Sequence, residues 1–567
     1  MTPPRGSVSD PRTRVIAVLL ISFSIALRLI AVFRRDGLVG EELMLTLNLA
    51  GRGYVGLLQP LGYAQMAPIP FLWAERLMMQ IGGLDPGTLR VLPFVAGCLM
   101  LIALWAVASQ ILSEGEALLA LGLAATSPFL IDASAAVTPY ALDALLSVLV
   151  VASAFSVLRD VTNRIAWAGL AGLGTIALIS SIPAPFVLIA VVAALAWQLR
   201  AGSLHVLRLR LGATVMLWVD LFVLLYQVSY RQIVVDPYMR QYWAAAMLSP
   251  GPRFMARWAA GVEEVFWPVS YWMVWAGLSA VLAVGCVVGA VSIARRHGTS
   301  AALLLLGPLV ALLGASVLGW YPLTLRLATF TAPLLILAAA AGIGAVARWV
   351  HRRIPSIRAG WIQFLVLVPS VMVGVAWTLI APGAAQGMPA IVRQLEQRRQ
   401  SGEPVYLFHR AIGPWAFYST DWSRPDRARL AWIARIASPQ GPSFGNAPPR
   451  GTRRTGEGDT LVYRYRGREE LFGTASGVQG RAWLPPEPDQ RLNWQARADP
   501  GWAVAEAARL RGKGPRVWAV FTADSPGQEV LDLLQAIERS GGRIESRSEV
   551  AGTTLYSIRF GPDAPSA

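Results

Sequence analysis

Eleven apolar runs, each about twenty residues long, dominate the chain at approximately 14–33, 91–112, 116–131, 139–157, 165–181, 184–199, 211–229, 268–293, 300–318, 324–347 and 361–381. A helix rises 1.5 Å per residue, so runs of this length match the roughly 30 Å of hydrocarbon in a bilayer. Buried core helices of a soluble protein rarely recur at that length. With 54% hydrophobic and 15% charged residues over 567 positions, the sequence lies outside the range of soluble domains. The fold class expected is therefore an α-helical polytopic membrane protein.

An odd number of spans puts the two chain ends on opposite sides. Arg5, Arg12, Arg14, Arg159, Arg164, Arg200, Arg208, Arg210, Arg295, Arg296, Arg348, Arg352, Arg353 and Arg358 fall in the N-terminus and alternate loops. The short loops on the other side, IDASAAVT, SSIPAP and GWYPLT, carry no Lys or Arg. By the positive-inside rule the Arg-rich side is cytoplasmic. The N-terminus is then inside, as a retained first span, because MTPPRGSVSDPRTR leads into apolar sequence with no small-residue cleavage site. The net charge of +16 is explained by this distribution, and nucleic-acid binding is not expected. Cys98 and Cys286 lie in apolar helices and read as small packing residues.

Residues 1–382 are expected to form the transmembrane domain, with long outer loops at 34–90 and 230–267, and 383–567 a C-terminal soluble α/β domain outside the cytoplasm. In the latter, 405–409 reads as a strand, IGPWAFY as a helix start, 516–524 as a strand, GQEVLDLLQAIERSG as a helix and GTTLYSIRF as a last strand. The segment 438–459 reads as a turn-rich loop. No phosphate-binding loop, dinucleotide fingerprint or Ser-His-Asp pattern is present.

The outer loops hold the residues suited to chemistry. Glu41 and Glu42 follow the first span closely, where a base would sit at the membrane surface within reach of a lipid-linked substrate. An acid pair is equally what a helix N-terminus favours without any chemistry. Arg326, after Tyr321 and Pro322 at the outer end of a span, suits a lipid phosphate through charge-assisted hydrogen bonds, or else snorkels to the interface. Asp143 lies inside the fourth run and either lines a cavity or pairs with an Arg such as Arg28 or Arg326. In the loop around 230–267, Arg240, Tyr242 and Trp243 have the composition of a lipid headgroup and sugar contact, and equally of an interfacial aromatic belt. His205, His297 and His351 fall on the cytoplasmic side and His409 outside, so they cannot share a site. Outer carboxylates alone would suit Mg or Mn, but they do not cluster, and no metal or other cofactor is assigned.

The order of short motifs resembles the GT-C superfamily of polyprenyl-phosphate-sugar-dependent glycosyltransferases, which includes protein O-mannosyltransferases and aminoarabinose transferases. GEELMLTLN resembles the acid pair that opens the family's first outer loop, and LGYAQMAP with TLRVLP its Gln-x-x-Pro and Leu-Arg-x-x-Pro elements. TSPFLIDASAAVTPYALDALLSVL resembles the second outer loop ending in Pro-Tyr-x-x-Asp. YMRQYW, YPLTLRLATFTAP and QLEQRRQSGEPVYLFHRAIGPWAFY continue in the same order.

The resemblance implies an inverting transfer of a sugar from a polyprenyl phosphate to a lipid, glycan or protein acceptor, outside a bacterial cytoplasmic membrane. It assigns Glu41 as catalytic base with Glu42 beside it, Arg326, Tyr321, Arg240, Tyr140 and Asp143 to the donor phosphate, and Gln65, Tyr242 and Trp243 to substrate. Two departures stand out: Glu41 replaces Asp, and Ala136 and Thr138 stand where relatives carry an acid and a cation. Asp132, one helical turn away, is the candidate replacement acid. These departures keep a second reading open, a catalytically inactive relative acting as transporter or scaffold in envelope glycan assembly.

Overall fold

The structure is a computed structural model, and it describes residues 10–35, 37–38, 40–62, 65–200, 205–234, 243–248, 255–256, 258–259, 278–380, 387–408, 411–426, 430, 452–454, 460–465, 468–473, 501–522 and 527–561. Two compact units are formed. One comprises Met1–Arg35, Ala67–Arg231 and Ala246–Gly383, the other Asp36–Met66, Gln232–Ala245 and Ala384–Ala567.

The first unit is the helical membrane domain. Seven of its described helices are long and apolar enough to cross a membrane: Pro11–Phe33, Pro86–Ile111, Tyr140–Arg159, His205–Tyr230, Thr299–Val317, Thr329–Arg353 and Ala359–Ile380. Glu114–Thr126 and Pro128–Ser134 pass the same length and hydropathy test as a pair bent by 57°, the geometry of a broken span or a re-entrant loop. Arg164–Ser180 and Ala184–Leu199 are shorter apolar helices, and Leu278–His297 completes the set. Each of the eleven expected runs is thus largely helical over its described residues, with 268–277 of the eighth lying outside them. The bend was not anticipated, and it has a local cause. Pro128 has no N–H to continue the ladder, and it drives Ser127 to extended backbone at φ −61°, ψ 114°.

Side chains tie the helix ends together at both ends of this unit. At the Arg-rich end Glu116 closes a capping box with Ser113 and pairs with Arg296, 2.8 Å away, and Arg348, 2.5 Å away, so one buried carboxylate joins three helices. His297 Nε2 lies 2.9 Å from the Ile111 carbonyl, and Arg210 donates to the Thr162 carbonyl at 3.0 Å. At the other end Arg90 donates to the Arg35 carbonyl at 2.6 Å, and Leu248 N–H donates to Ser316 Oγ at 3.1 Å.

The second unit contains a seven-stranded mixed sheet. Its strands are β1 (Val405–Leu407), β2 (Thr452–Arg454), β3 (Thr460–Tyr465), β4 (Arg468–Gly473), β5 (Arg516–Phe521), β6 (Gly542–Val550) and β7 (Thr553–Phe560), in the order β2-β3-β4-β1-β5-β7-β6. β1 pairs in parallel with β4 and β5, with Val405 opposite Glu470 and Trp518, and the other pairings are antiparallel. A central parallel strand is covered on both faces, which is why Val405, Tyr406 and Leu407 are all buried. The helices Trp502–Arg511 and Gly527–Arg539 pack Trp502, Ala507, Leu510, Leu533 and Ile537 into one core with Tyr406, Phe408 and Phe521. β6 and β7 close through Ala551 and Gly552, both at positive φ (42° and 74°), the backbone a tight hairpin of this twist requires. The expected strands and helices of this domain are present at the expected places. One expectation needs correcting: within 438–459, Thr452–Arg454 is not loop but the edge strand β2, held by pairing to β3.

Candidate functional site

In the membrane unit a buried polar cluster forms where Tyr140–Arg159, Ala184–Leu199 and His205–Tyr230 present their ends to the segment before Thr329–Arg353. Pro139 starts the first of these helices and places Tyr140 at its first position, with Asp143 in its first turn. Asp143 is 5% exposed; its carboxylate accepts a hydrogen bond from the Ser181 side chain, while Oδ1 is buried without a partner among the described residues. Tyr230 and Tyr321 both lie within electrostatic reach of that carboxylate. Tyr230 ends a π turn, Tyr226–Tyr230, that closes the helix His205–Leu225.

The segment carrying Tyr321 and Arg326 is fixed by its own backbone. Leu323 N–H donates to the Ala246 carbonyl and Ala328 N–H to that of Thr324, at 2.8 and 2.9 Å. Thr329 Oγ1 donates to the Arg326 carbonyl at 2.6 Å. Tyr321 meets Phe186 edge-on at 5.0 Å, and Phe186 stacks on Phe330 at 6.0 Å. Ser147 Oγ donates to the Phe330 carbonyl at 2.7 Å, which anchors this aromatic wall to the Asp143 helix. Desolvation first, then the Asp143 carboxylate, holds the Tyr321 phenol well above its ordinary range. The hydroxyl therefore stays protonated and able to donate. Arg326 is partly buried, and desolvation lowers its pKa, but a guanidinium remains cationic. Phenol and guanidinium supply donors, and one carboxylate oxygen supplies an acceptor, while the Ser181 hydrogen is spent on Asp143.

Asp143 accepts from the Ser181 side chain, and Arg28 has other partners. Arg28 is occupied by Ser24, Ser134 and the carbonyls of Ala124 and Ala125. Asp132 is also committed. Its Oδ1 pairs with Arg35 at 2.9 Å and its Oδ2 accepts from Trp377 Nε1 at 3.1 Å, so both oxygens are used in joining three helix ends. Thr138 is buried, its Oγ1 without a partner among the described residues.

The second unit holds Glu41, Glu42, Gln65 and Trp243. The helix Gly40–Gly51 begins at Gly40, whose φ of +51° turns the chain into it, and carries both acids in its first turn. Glu42 is 4% exposed whereas Glu41 is partly exposed. The C-terminal half is pinned to the following loop by Asn48, which accepts from Gly62 N–H at 2.7 Å and donates to the Gly62 carbonyl at 3.1 Å. Leu38 N–H donates to the Tyr418 hydroxyl at 3.1 Å, and Met44 packs against Gly413, so the acid-bearing helix rests on Ile412–Tyr418. Gln65 is half-buried beyond that loop, its N–H donating to the Gly62 carbonyl at 3.3 Å. Trp243 is half-buried. Arg240 and Tyr242 lie outside the described residues.

Sequence reasoning missed Ser181, Tyr230 and Phe186. The only signal was their position at the ends of apolar runs, with Ser181 and Phe186 in or beside the loop SSIPAP, which lacks Lys and Arg. No group of three or more His, Cys, Asp or Glu side chains converges among the described residues.

Residues 66–226 match the family of dolichyl-phosphate-mannose-protein mannosyltransferases. No curated protein sequence matches the chain. Among solved structures, ArnT from Cupriavidus metallidurans bound to undecaprenyl phosphate is 13% identical, with a TM-score of 0.51 over 95% of this chain and 97% of that one. The same protein in its apo state gives 0.50 over the same shares. The oligosaccharyltransferase of Archaeoglobus fulgidus, in complex with zinc and sulfate, is 12% identical, with a TM-score of 0.50 over 96% of this chain and 88% of that one.

Proposed function

From the GT-C fold that this multi-pass membrane protein carries, we propose that it is a glycosyltransferase moving a sugar from a polyprenyl phosphate to an acceptor hydroxyl outside the cytoplasmic membrane. The observation that carries the reading is the buried cluster of Asp143, Ser181, Tyr230 and Tyr321 in the membrane unit, with Arg326 on the same segment as Tyr321. A chain matched over 95% of its length by a protein solved with undecaprenyl phosphate supports the choice of donor.

In this mechanism Glu41 takes the proton of the acceptor hydroxyl as its oxygen attacks the anomeric carbon. The bond from that carbon to the phosphate oxygen breaks, its electron pair leaves with the polyprenyl phosphate, and the sugar inverts. Arg326 and the Tyr321 hydroxyl offset the charge gained by the phosphate. Asp143 Oδ1 accepts from a donor hydroxyl. Glu41 is preferred to Glu42 because it is the exposed member of the pair. Asp132 is a tie between helices and not the replacement acid, since both its oxygens are engaged.

Lipid extracts of strains carrying wild type, a deletion and Glu41→Gln test this directly. Removing a general base costs about 10²- to 10⁴-fold in rate, so the Glu41→Gln strain is expected to accumulate the same polyprenyl-phosphate sugar as the deletion, at unchanged protein level. A normal donor pool in that variant removes Glu41 as the base. A donor pool unchanged even by deletion favours the non-enzymatic reading.

A further inference from the structure

The helix pair Glu114–Thr126 and Pro128–Ser134 is broken inside the membrane unit. A break leaves the last carbonyls of the first half without the N–H groups of a following turn. In a bilayer no water is at hand to satisfy them. The described residues show what does. Arg28, fully buried on the first span, donates Nη1 to the Ala125 carbonyl at 3.3 Å and Nη2 to the Ala124 carbonyl at 3.4 Å. Its Nε donates to Ser134 Oγ at 3.1 Å, on the second half of the bent pair. Ser24, one turn earlier on the first span, accepts from Nη1 and donates to the same Ala125 carbonyl at 2.8 Å.

No carboxylate is among these partners. The guanidinium charge meets instead the C-terminal end of a helix, where the unpaired carbonyls sum to a partial negative charge. Arg suits the place because its planar fork reaches both halves at once, which a lysine ammonium cannot do with the same geometry. Gly97 leaves the room: a side chain there would run into Ser134. Beyond the break the chain carries Asp132, gripped by Arg35 and Trp377, and then enters the helix of Tyr140 and Asp143.

We propose that Arg28 is a positioning residue: it staples the two halves of the bent helix pair and so fixes the course of the chain into the helix that carries Asp143 of the proposed donor cluster. The link to donor binding rests on the function proposed above, whereas the staple itself does not.

The test uses the full chain in lipid nanodiscs with Arg28→Met, Arg28→Lys and the milder Ser134→Ala. Two quantities are read: amide hydrogen exchange along every span, and affinity for undecaprenyl phosphate itself. Arg28→Met is expected to raise exchange ~10-fold or more in residues 123–136 while other spans are unchanged, and to weaken undecaprenyl phosphate by ~10-fold. Arg28→Lys, which keeps the charge but loses the fork, is expected to recover only a small part of either. Ser134→Ala, which loses only the Nε acceptor, gives a smaller rise confined to 128–134 and covers the case in which Arg28→Met does not fold. Unchanged exchange at 123–136 overturns the staple, as does a rise spread evenly over all spans. A local rise with unaltered undecaprenyl phosphate affinity overturns the positioning role. Failure of the wild type to bind undecaprenyl phosphate sinks the donor reading, and the exchange pattern then decides the staple alone.

Discussion

Glu75 shows how one residue can carry a pH dependence that its neighbours in sequence do not announce. On the helix Ile69–Gly82 it is fully buried, and neither carboxylate oxygen has a hydrogen-bond partner among the described residues. Burial pushes its carboxyl up to about 9. In the unfolded chain the same group ionises near about 4.3. Between those values the unfolded chain binds fewer protons than the folded one, so the contribution of Glu75 falls as pH rises from about 4 to about 9 and is level outside that window. Glu75→Gln keeps the shape and removes the titration. Its unfolding free energy is expected to match wild type at pH 5 and to exceed it at pH 8.5 by an amount on the order of 5 kcal/mol, read as a higher thermal midpoint at the higher pH alone. An equal shift at both pH values would mean that packing, not ionisation, sets the cost. Glu41 and Glu42 teach the complementary lesson. The resemblance already singles out Glu41, and the structure adds that Glu42 is buried while Glu41 is partly exposed.

Between elements, the closest approach in the membrane unit is that of Leu278–His297 and Ala332–Arg353. Gly285 and Gly289 on one helix face Ala338 and Gly342 on the other, the small-xxx-small spacing that lets backbones meet without side chains between them. A Cβ on Gly342 would run into the Gly285 carbonyl oxygen, and one on Gly289 into that of Ala338. Backbone cannot rotate aside as a side chain does. Gly342→Val is therefore expected to cost about 1–3 kcal/mol or more, seen as a lower thermal midpoint and less monodisperse protein in detergent. Gly212→Val is the control, because a Cβ there meets nothing within 4 Å. Similar losses in both variants would mean that valine in a span, not the close approach, is responsible. The spacing was there to be read in GCVVG and AAAAG, but which of many small residues would meet was not.

For the whole molecule, the proposed sidedness rests on the distribution of charge. Single cysteines in a variant lacking Cys98 and Cys286 test it: one at Thr162, in the Arg-rich loop, is expected to label only from the cytoplasm, and one at exposed Trp320 only from outside. The reverse pattern would invert the proposed topology and place the donor cluster on the wrong side for an externally facing acceptor. Hydropathy determined all eleven helices, because whether twenty consecutive residues tolerate hydrocarbon depends on those residues alone. Alternation and turn residues likewise determined β1, β5 and β7 and the helices Ile412–Tyr418 and Gly527–Arg539. The partners were decided only by the tertiary structure. Asp132 with Arg35 is a contact across 97 positions, and Arg28 with Ser134 one across 106. Ser181 beside Asp143, and the burial of Glu42 next to a partly exposed Glu41, likewise depend on which elements meet. Span formation is a local transfer free energy written into each segment, whereas pairing is a contest among many polar groups for few partners, and packing settles it.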